Sequence, residues 1–371
     1  MYKLKQIPED FIVEEVFDYN PEERKEEERE RKEKGERKEE RKEEERERKE
    51  KGERKEERKE EREEKGERKE EGEYIYVKIK KKNISTPEII DIISSKLKVP
   101  SKNIGVAGNK DKKAITTQLI SIRGVSEDNI NKLNLKDIEI NVLGRSNEPI
   151  SLGSHECNKF IITVRDLKEN EYKTVLSKLE NKTKIKFINY FGEQRFGKNN
   201  VNIGLSIMKG DFKKACELID SHKLNEYLNQ NSNDYIGALK KVQKRVLTLY
   251  IHSVQSHIWN ILAENFKQEV LSVPGYMTEY LDMGMMKCVE EYLSKYQLTQ
   301  RDFIIRPIPN LFTGGDNRER EVHALDVNII ERGKDELNSK DGDEESKYKI
   351  ILSFTLPKGS YATVFVKSLF D

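Results

Sequence analysis

One stretch of the chain places a single carboxylate among three ammonium groups. It reads GNKDKKAITTQ and contains Asp111, flanked by Lys110, Lys112 and Lys113. Gly, Asn, Lys and Asp favour a turn, and the Thr-Thr-Gln-Leu-Ile-Ser run that follows has the β-branched character of a strand. Because nearby positive charge favours the ionised form of an acid, Asp111 should stay ionised and able to act as a nucleophile or a base. An ordinary surface turn would have the same composition, and spacing alone favours that interpretation.

The segments on either side of this turn are predicted to hold it against a sheet. Residues 74–80 alternate apolar and polar side chains as a half-buried strand does, and Thr86 is expected to cap a helix whose first turn begins with Pro87. Further strands are predicted near residues 138–143 and 159–164. The pattern indicates an α+β fold in which a sheet carries helices.

The middle of the chain has a different, mostly helical pattern. It runs from about residue 187 to 326 and includes a long candidate helix over residues 241–266, after which strands return. A helical module inserted into a sheet domain would explain this order. A cleft between two such lobes would be the natural place for a substrate.

A charged, repetitive segment interrupts the N-terminal part. Residues 22–73 contain only Glu, Lys, Arg and Gly, and the sequence of residues 24–40 recurs unchanged at 41–57. Without apolar residues it cannot bury a core, so we expect a partly helical, mobile excursion. Its 26 Glu outnumber its 22 Lys and Arg, which argues against phosphate binding. The rest of the chain keeps 48 basic and 43 acidic residues, a modest excess that suits the approach to a polyanion.

Composition also predicts what the protein does not use. The three cysteines, Cys157, Cys216 and Cys288, form no C-x-x-C pair or His/Cys cluster, so neither a structural zinc nor a disulfide framework is expected. No run approaches the roughly 18 apolar residues that a membrane span requires. The sequence therefore predicts a soluble, cytoplasmic protein, expected to be a monomer, with no metal and no cofactor.

The turn resembles the active-site motif of the TruD family of pseudouridine synthases, which reads approximately G-x-K-D-x-x-A-x-T-x-Q. The matching residues are Gly108, Lys110, Asp111, Ala114, Thr116 and Gln118. Four further blocks resemble family elements in the family's order: PEDFIVEE at 8–15, HECNKF at 155–160, NYFGEQRFG at 189–197, and LPKGSYATVFVKSLF at 356–370, which resembles the closing strand.

This resemblance implies a fold and an activity. The fold is a pseudouridine-synthase catalytic domain with a mixed, largely antiparallel sheet, formed by residues 1–20 and 74–186 and by C-terminal strands in 327–371. Residues 21–73 would be a charged insert, and 187–326 an inserted, mostly helical TRUD-type domain. The activity is that of an isomerase, a tRNA pseudouridine synthase, with uridine 13 of the D arm as the leading target.

The resemblance also implies roles for individual residues. Asp111 would do the chemistry, either attacking the ribose carbon as a nucleophile or removing a ribose proton as a base. Asn158 and Phe160 would lie beside the target base, with Phe160 stacking on it. Periodicity favours a different interpretation of Phe160, as a core residue that shares one strand face with Ile162 and Val164.

Three cations are expected near the carboxylate or the RNA. A lysine at the position of Lys5 approaches the catalytic carboxylate in the family, although an ordinary solvated lysine is an equal interpretation. Lys110 lies inside the motif and is the favoured candidate for the same pairing or for a phosphate. Arg195 could bind phosphate bidentately or brace a carboxylate. His155 has no role implied by the resemblance and is expected to be structural.

Two other functions compete with the isomerase. One is a non-catalytic RNA-binding or RNA-folding module, in which the Lys-Asp motif would be a relic. The other is a hydrolase that cleaves the same glycosidic bond. A hydrolase would need a second acid opposite Asp111, and no motif supplies one.

Overall fold

The structure is a computed structural model that describes residues 2–17, 72–339 and 347–371. The predicted charged insert therefore lies outside the described residues, except for its last two positions. The described chain forms two compact units. The domain boundaries expected from the sequence stay a prediction.

The first unit, Met1–Leu167 with Ile330–Ser353, is built on a sheet. Its strands are β1 (Phe11–Val16), β2 (Tyr74–Lys82), β3 (Ile104–Val106), β4 (Ile115–Arg123), β5 (Ile138–Ser146), β6 (Cys157–Leu167), the end of β10 (Glu321–Lys334) and most of β11 (Tyr348–Pro357). The order is β5-β2-β4-β1-β6-β11, with β3 beside β4. β1 runs parallel to β4, whereas β1–β6, β2–β4, β2–β5 and β3–β4 are antiparallel. The predicted α+β class and largely antiparallel sheet are confirmed.

Two helices of this unit follow strands, α1 (Thr86–Leu97) and α2 (Glu127–Asn131). The predicted cap at Thr86 is wrong by one position. Ser85 is the N-cap: its hydroxyl accepts the Glu88 N–H, and the Glu88 carboxylate accepts the Ser85 N–H at 2.8 Å. Ile89 and Ile93 then pack against the apolar face of β2 and β4. The Thr86 hydroxyl is left to bind another part of the chain.

The second unit, Lys168–Ile329 with Phe354–Asp371, is mostly helical. Its helices are α3 (Glu169–Leu179), α4 (Glu193–Phe196), α5 (Asn200–Lys209), α6 (Phe212–Leu218), α7 (His222–Gln230), α8 (Tyr235–Leu239), α9 (Lys244–Asn265), α10 (Met283–Ser294) and α11 (Ala362–Ser368). The long helix predicted over 241–266 is confirmed as α9, which buries Trp259 in the unit's core. Short strands β7 (Ile185–Ile188) and β8 (Val270–Val273) pair with β10 and β9 (Asp316–Glu319) respectively. In the ranges that the structure describes, no helix is both long and apolar enough to span a bilayer.

The chain ends in a helix rather than in the closing strand expected over 356–370. β11 stops at Pro357, and a turn at Gly359, with a φ of +81°, redirects the chain. The residues buried after this turn are Ala362, Phe365, Val366 and Leu369, which have helical spacing. The strand that the family resemblance implies is therefore wrong for residues 362–368, because their buried positions follow the period of a helix.

Candidate active site

Asp111 lies in the turn between β3 and β4, and both α1 and β4 hold that turn in place. The Lys110 N–H donates to the Thr86 Oγ1 at 2.8 Å, and the Thr86 hydroxyl donates to the Gln118 Oε1 at 3.0 Å. One threonine therefore connects the start of α1, the turn and the strand behind it. The Asp111 side chain is 31% exposed and can be reached from outside the protein.

The partner of Asp111 is Lys5, whose ammonium donates to the Asp111 Oδ2. The same ammonium lies 4.0 Å from the centroid of the Phe11 ring. The sequence favours Lys110 for this pairing, but the structure places Lys5 there instead. This ion pair holds the Asp111 carboxylate in place at the turn.

Buried ion pairs anchor the segment that carries Lys5. The Arg165 guanidinium, on β6, donates to the Asp10 Oδ1 at 2.7 Å and to the Asp335 Oδ1 at 2.9 Å. The Lys3 N–H donates to the Arg165 carbonyl at 2.9 Å. Positions on both sides of Lys5 are thus fixed to the same strand. This anchoring explains how a lysine near the start of the chain is held against Asp111.

If Asp111 is the catalytic carboxylate that the sequence resemblance implies, we expect Lys5→Met to slow the reaction without preventing RNA binding. A hydrogen bond to a charged group contributes about 1.5–3 kcal/mol, so the single-turnover rate constant should fall by about 10- to 100-fold. Lys3→Met is the matched control, since Lys3 is an exposed lysine on the same segment that pairs with Asp166. A K5M rate constant equal to that of the wild type would show that the ion pair does not assist the reaction.

The Lys110 side chain contacts Glu15 and Asn158. Its side chain is only 9% exposed, and its ammonium lies 2.7 Å from the Glu15 Oε1 and donates to the Asn158 Oδ1 at 3.0 Å. Glu15 and Asn158 face each other across the β1–β6 pair. The Glu15 Oε2 also accepts the Leu119 N–H at 3.2 Å. Lys110 therefore ties the turn to β1 and β6.

The environment of Asn158 determines the orientation of its amide and the tautomer of its neighbour. Because a lysine ammonium only donates, the Asn158 oxygen must face Lys110, and the Asn158 Nδ2 then donates to the His155 Nε2, 3.2 Å away. The ring proton of His155 is consequently on Nδ1. His155 has the structural role that the sequence predicts, since it supports Asn158.

Glu15 is a second carboxylate near the turn, but it is shielded from substrate. Its side chain is 0% exposed. Burial raises the pKa of Glu15 above its ordinary value of 4.5, while the Lys110 charge and hydrogen bond and the Leu119 N–H act in the opposite direction. A carboxyl group enclosed in this way cannot protonate a leaving group, so it does not supply the second acid of a hydrolase.

Phe160 lies two residues beyond Asn158 on the same face of β6. It is 6% exposed and packs edge to face on Phe11, with ring centroids 6.1 Å apart. Phe11 in turn lies below the Lys5 ammonium. Both interpretations made from the sequence are compatible with its position, because the ring belongs to the core and also adjoins the Lys5–Asp111 ion pair.

Arg195 lies in the second unit, at the end of the four-residue helix α4. Its carbonyl accepts the Ser253 hydroxyl at 2.8 Å, and its guanidinium carbon lies 5.5 Å from the centroid of the Phe191 ring. These contacts give its backbone a structural role within that unit. Its role as a phosphate contact stays a prediction.

Sequence reasoning missed two charged residues of this site. Glu15 follows Phe11 and Val13 on the inward face of β1, and Lys81 follows Val77 and Ile79 on the inward face of β2. A signal for both was available. A charged residue that continues an apolar alternation must be buried, and buried charges are found where they are paired or functional.

Comparison with known proteins identifies relatives of the whole chain. Residues 46–226 and 263–369 match the family described as tRNA pseudouridine synthase D (TruD). A Methanosarcina acetivorans protein named "Probable tRNA pseudouridine synthase D" is 27% identical over 80% of this chain and 87% of its own length. A Wolinella succinogenes protein named "tRNA pseudouridine synthase D" is 28% identical over 80% of this chain and 88% of its own length.

A solved structure has the same fold. The crystal structure of a Methanosarcina mazei protein described as "Putative tRNA pseudouridine synthase D (TruD)" is similar to this chain, with a TM-score of 0.60 and 24% identity. The similarity covers 100% of this chain and 93% of the other.

Proposed function

Because this chain belongs to the TruD family of tRNA pseudouridine synthases, we propose that it isomerises a uridine of tRNA to pseudouridine, with Asp111 as the catalytic carboxylate. One observation carries the assignment of Asp111. It is a partly exposed carboxylate in the motif turn, ion-paired to Lys5, while the neighbouring Lys110 and Glu15 are buried beneath it.

The reaction requires a carboxylate placed in this way and a site that holds the uracil base while it turns. The glycosidic bond between N1 and the ribose carbon breaks, the base turns, and C5 bonds to the same carbon. C5 loses its hydrogen as a proton and N1 gains one, so atoms and charge balance without a redox change or a group donor. Asp111 acts as a nucleophile toward the ribose carbon or as a base toward a ribose proton, and in either role Lys5 holds its carboxylate in place.

The target uridine must leave its base stack to reach Asp111, and this unstacking costs a few kcal/mol. We propose that Phe160 stacks on the everted base, a contact of about 1–3 kcal/mol, and that Asn158 contacts its edge. Their placement supports this proposal. Both lie on one face of β6, and they connect to the catalytic turn through Phe11 and Lys110. Arg195 is proposed as a phosphate contact.

The proposed target is uridine 13 in the D arm of tRNA. Chemical mapping of pseudouridine in a tRNA transcript after incubation with the protein tests the reaction and the position together. We expect one modified site, at position 13, and none in a transcript with cytidine at that position. Modification elsewhere would overturn the target, and an unmodified transcript would overturn the function.

A further inference from the structure

Lys81 is a lysine in the interior of the first unit. The pattern of β2 directs Lys80 and Lys82 outward to Glu139 and Glu9, whereas Lys81 points inward and is 1% exposed. Its ammonium donates to the Ile84 carbonyl at 2.5 Å. That carbonyl immediately precedes Ser85, the cap of α1.

A charge in this position is unfavourable for the fold alone. An ammonium loses its hydration when it is buried, and an apolar side chain of similar length would pack at a lower free energy. Burial, together with the nearby Lys110 charge, lowers the pKa of Lys81 to about 8, although Asp111, Glu15 and Glu88 act in the opposite direction. At neutral pH the side chain is therefore still mostly charged.

The charged groups that act on Lys81 come from three parts of the candidate active site. Glu15 belongs to β1, Glu88 belongs to α1, and Lys110 and Asp111 belong to the catalytic turn. The buried charge attracts Asp111 and Glu15 and repels Lys110.

A mechanical connection runs in parallel with the electrostatic one. Lys81 holds the Ile84 carbonyl, Ile84 leads into the capped start of α1, and the Thr86 hydroxyl there accepts the Lys110 N–H. Movement of the α1 start would displace the backbone amide that precedes Asp111.

We propose that Lys81 is a positioning residue for the reaction, which fixes the α1 start that holds the catalytic turn and brings a buried positive charge into the candidate active site. This inference rests on the proposed function. It assigns Lys81 to the reaction rather than to the stability of the sheet.

Lys81→Met in the full chain separates these two roles. We expect the single-turnover rate constant on tRNA to fall by about tenfold or more, while the dissociation constant for tRNA changes by less than about threefold. The thermal unfolding midpoint should equal or exceed that of the wild type, because an apolar side chain replaces a buried charge. Lys81→Gln, which also removes the charge, is the second variant should K81M fail to fold.

A pH series adds a readout that a purely structural role would not change. Lys81 loses its charge as the pH rises through about 8, so the ratio of the wild-type to the K81M rate constant should fall toward one across that range. Lys80→Met is the matched control, since Lys80 is the adjacent exposed lysine, and it should leave both rate and midpoint unchanged.

The outcomes are distinguishable. An active wild type with an equally active K81M would overturn this inference alone, and so would a K81M whose midpoint falls together with its activity. A wild-type chain that forms no pseudouridine would overturn the proposed function itself.

Discussion

Asp111→Asn should reduce pseudouridine formation by a factor on the order of 10⁴ or more, while the fold and tRNA binding are retained. The substitution keeps the size and shape of the side chain. It removes the anion, however, and a carboxamide can neither attack the ribose carbon nor accept a proton from it. The turn itself should stay in place, because the Thr86 hydroxyl holds it through the Lys110 backbone and not through Asp111. Single-turnover formation of pseudouridine, measured with saturating protein, is the direct readout.

Asp91→Asn is the control for this variant. Asp91 is an exposed aspartate on α1, close to the turn in sequence, and its replacement should leave the rate unchanged. Equilibrium binding of tRNA to D111N should match that of the wild type. A D111N variant that still forms pseudouridine at the wild-type rate would show that another group performs the chemistry.

Lys110→Met should lower the free energy of unfolding by about 3–5 kcal/mol, since it leaves the Glu15 carboxylate buried without its cation. Glu15 is fully enclosed, so water cannot replace the missing ammonium.

The loss of stability in K110M should also depend on pH. Because burial raises the pKa of Glu15, the folded chain holds this proton at pH values where the unfolded chain has released it. The free energy of unfolding of K110M should therefore fall as the pH rises above about 4.5. Urea denaturation at several pH values measures both effects.

Two variants make this test specific. Lys112→Met removes an exposed lysine of the same turn, paired with Glu88 at the surface, and should leave the unfolding midpoint unchanged. Glu15→Gln combined with K110M should recover part of the lost stability, since the unpaired charge is then gone. A K110M chain as stable as the wild type would contradict the role assigned to the Lys110–Glu15 ion pair. So would a K110M chain whose free energy of unfolding does not vary with pH.

The strands were predictable from sequence because each carries its own local pattern. Alternation at β2 and β-branched runs at β4 and β6 mark half-buried strands, and the structure has them with longer bounds. The terminal helix α11 was not predicted, because the family resemblance implies a strand there and the helical spacing of its buried residues was not considered. The cap of α1 was misplaced because two adjacent hydroxyl residues, Ser85 and Thr86, are equivalent by composition, and only tertiary contact distinguishes them.

The sequence identified several residues that the structure brings together, but it did not identify their pairing. The motif identified Asp111, and proximity in sequence suggested Lys110 as its partner. The pairing with Lys5 depends instead on Arg165 and Asp335, which are far apart in the chain and meet only through the sheet. The position of Lys110 depends on Glu15, whose burial follows from strand alternation once the sheet order is known. Long-range pairing of this kind leaves no local signal.

Release of the hydrogen from C5 of uridine is the measurement that tests the central claim most directly. With tRNA carrying tritium at C5, C5 loses its label only when it becomes the new point of attachment to ribose, so neither a binding module nor a hydrolase would release it. We predict stoichiometric release by the wild-type chain and none above background by D111N. No release by the wild type, or equal release by both proteins, would contradict the account of Asp111 as the carboxylate that isomerises uridine.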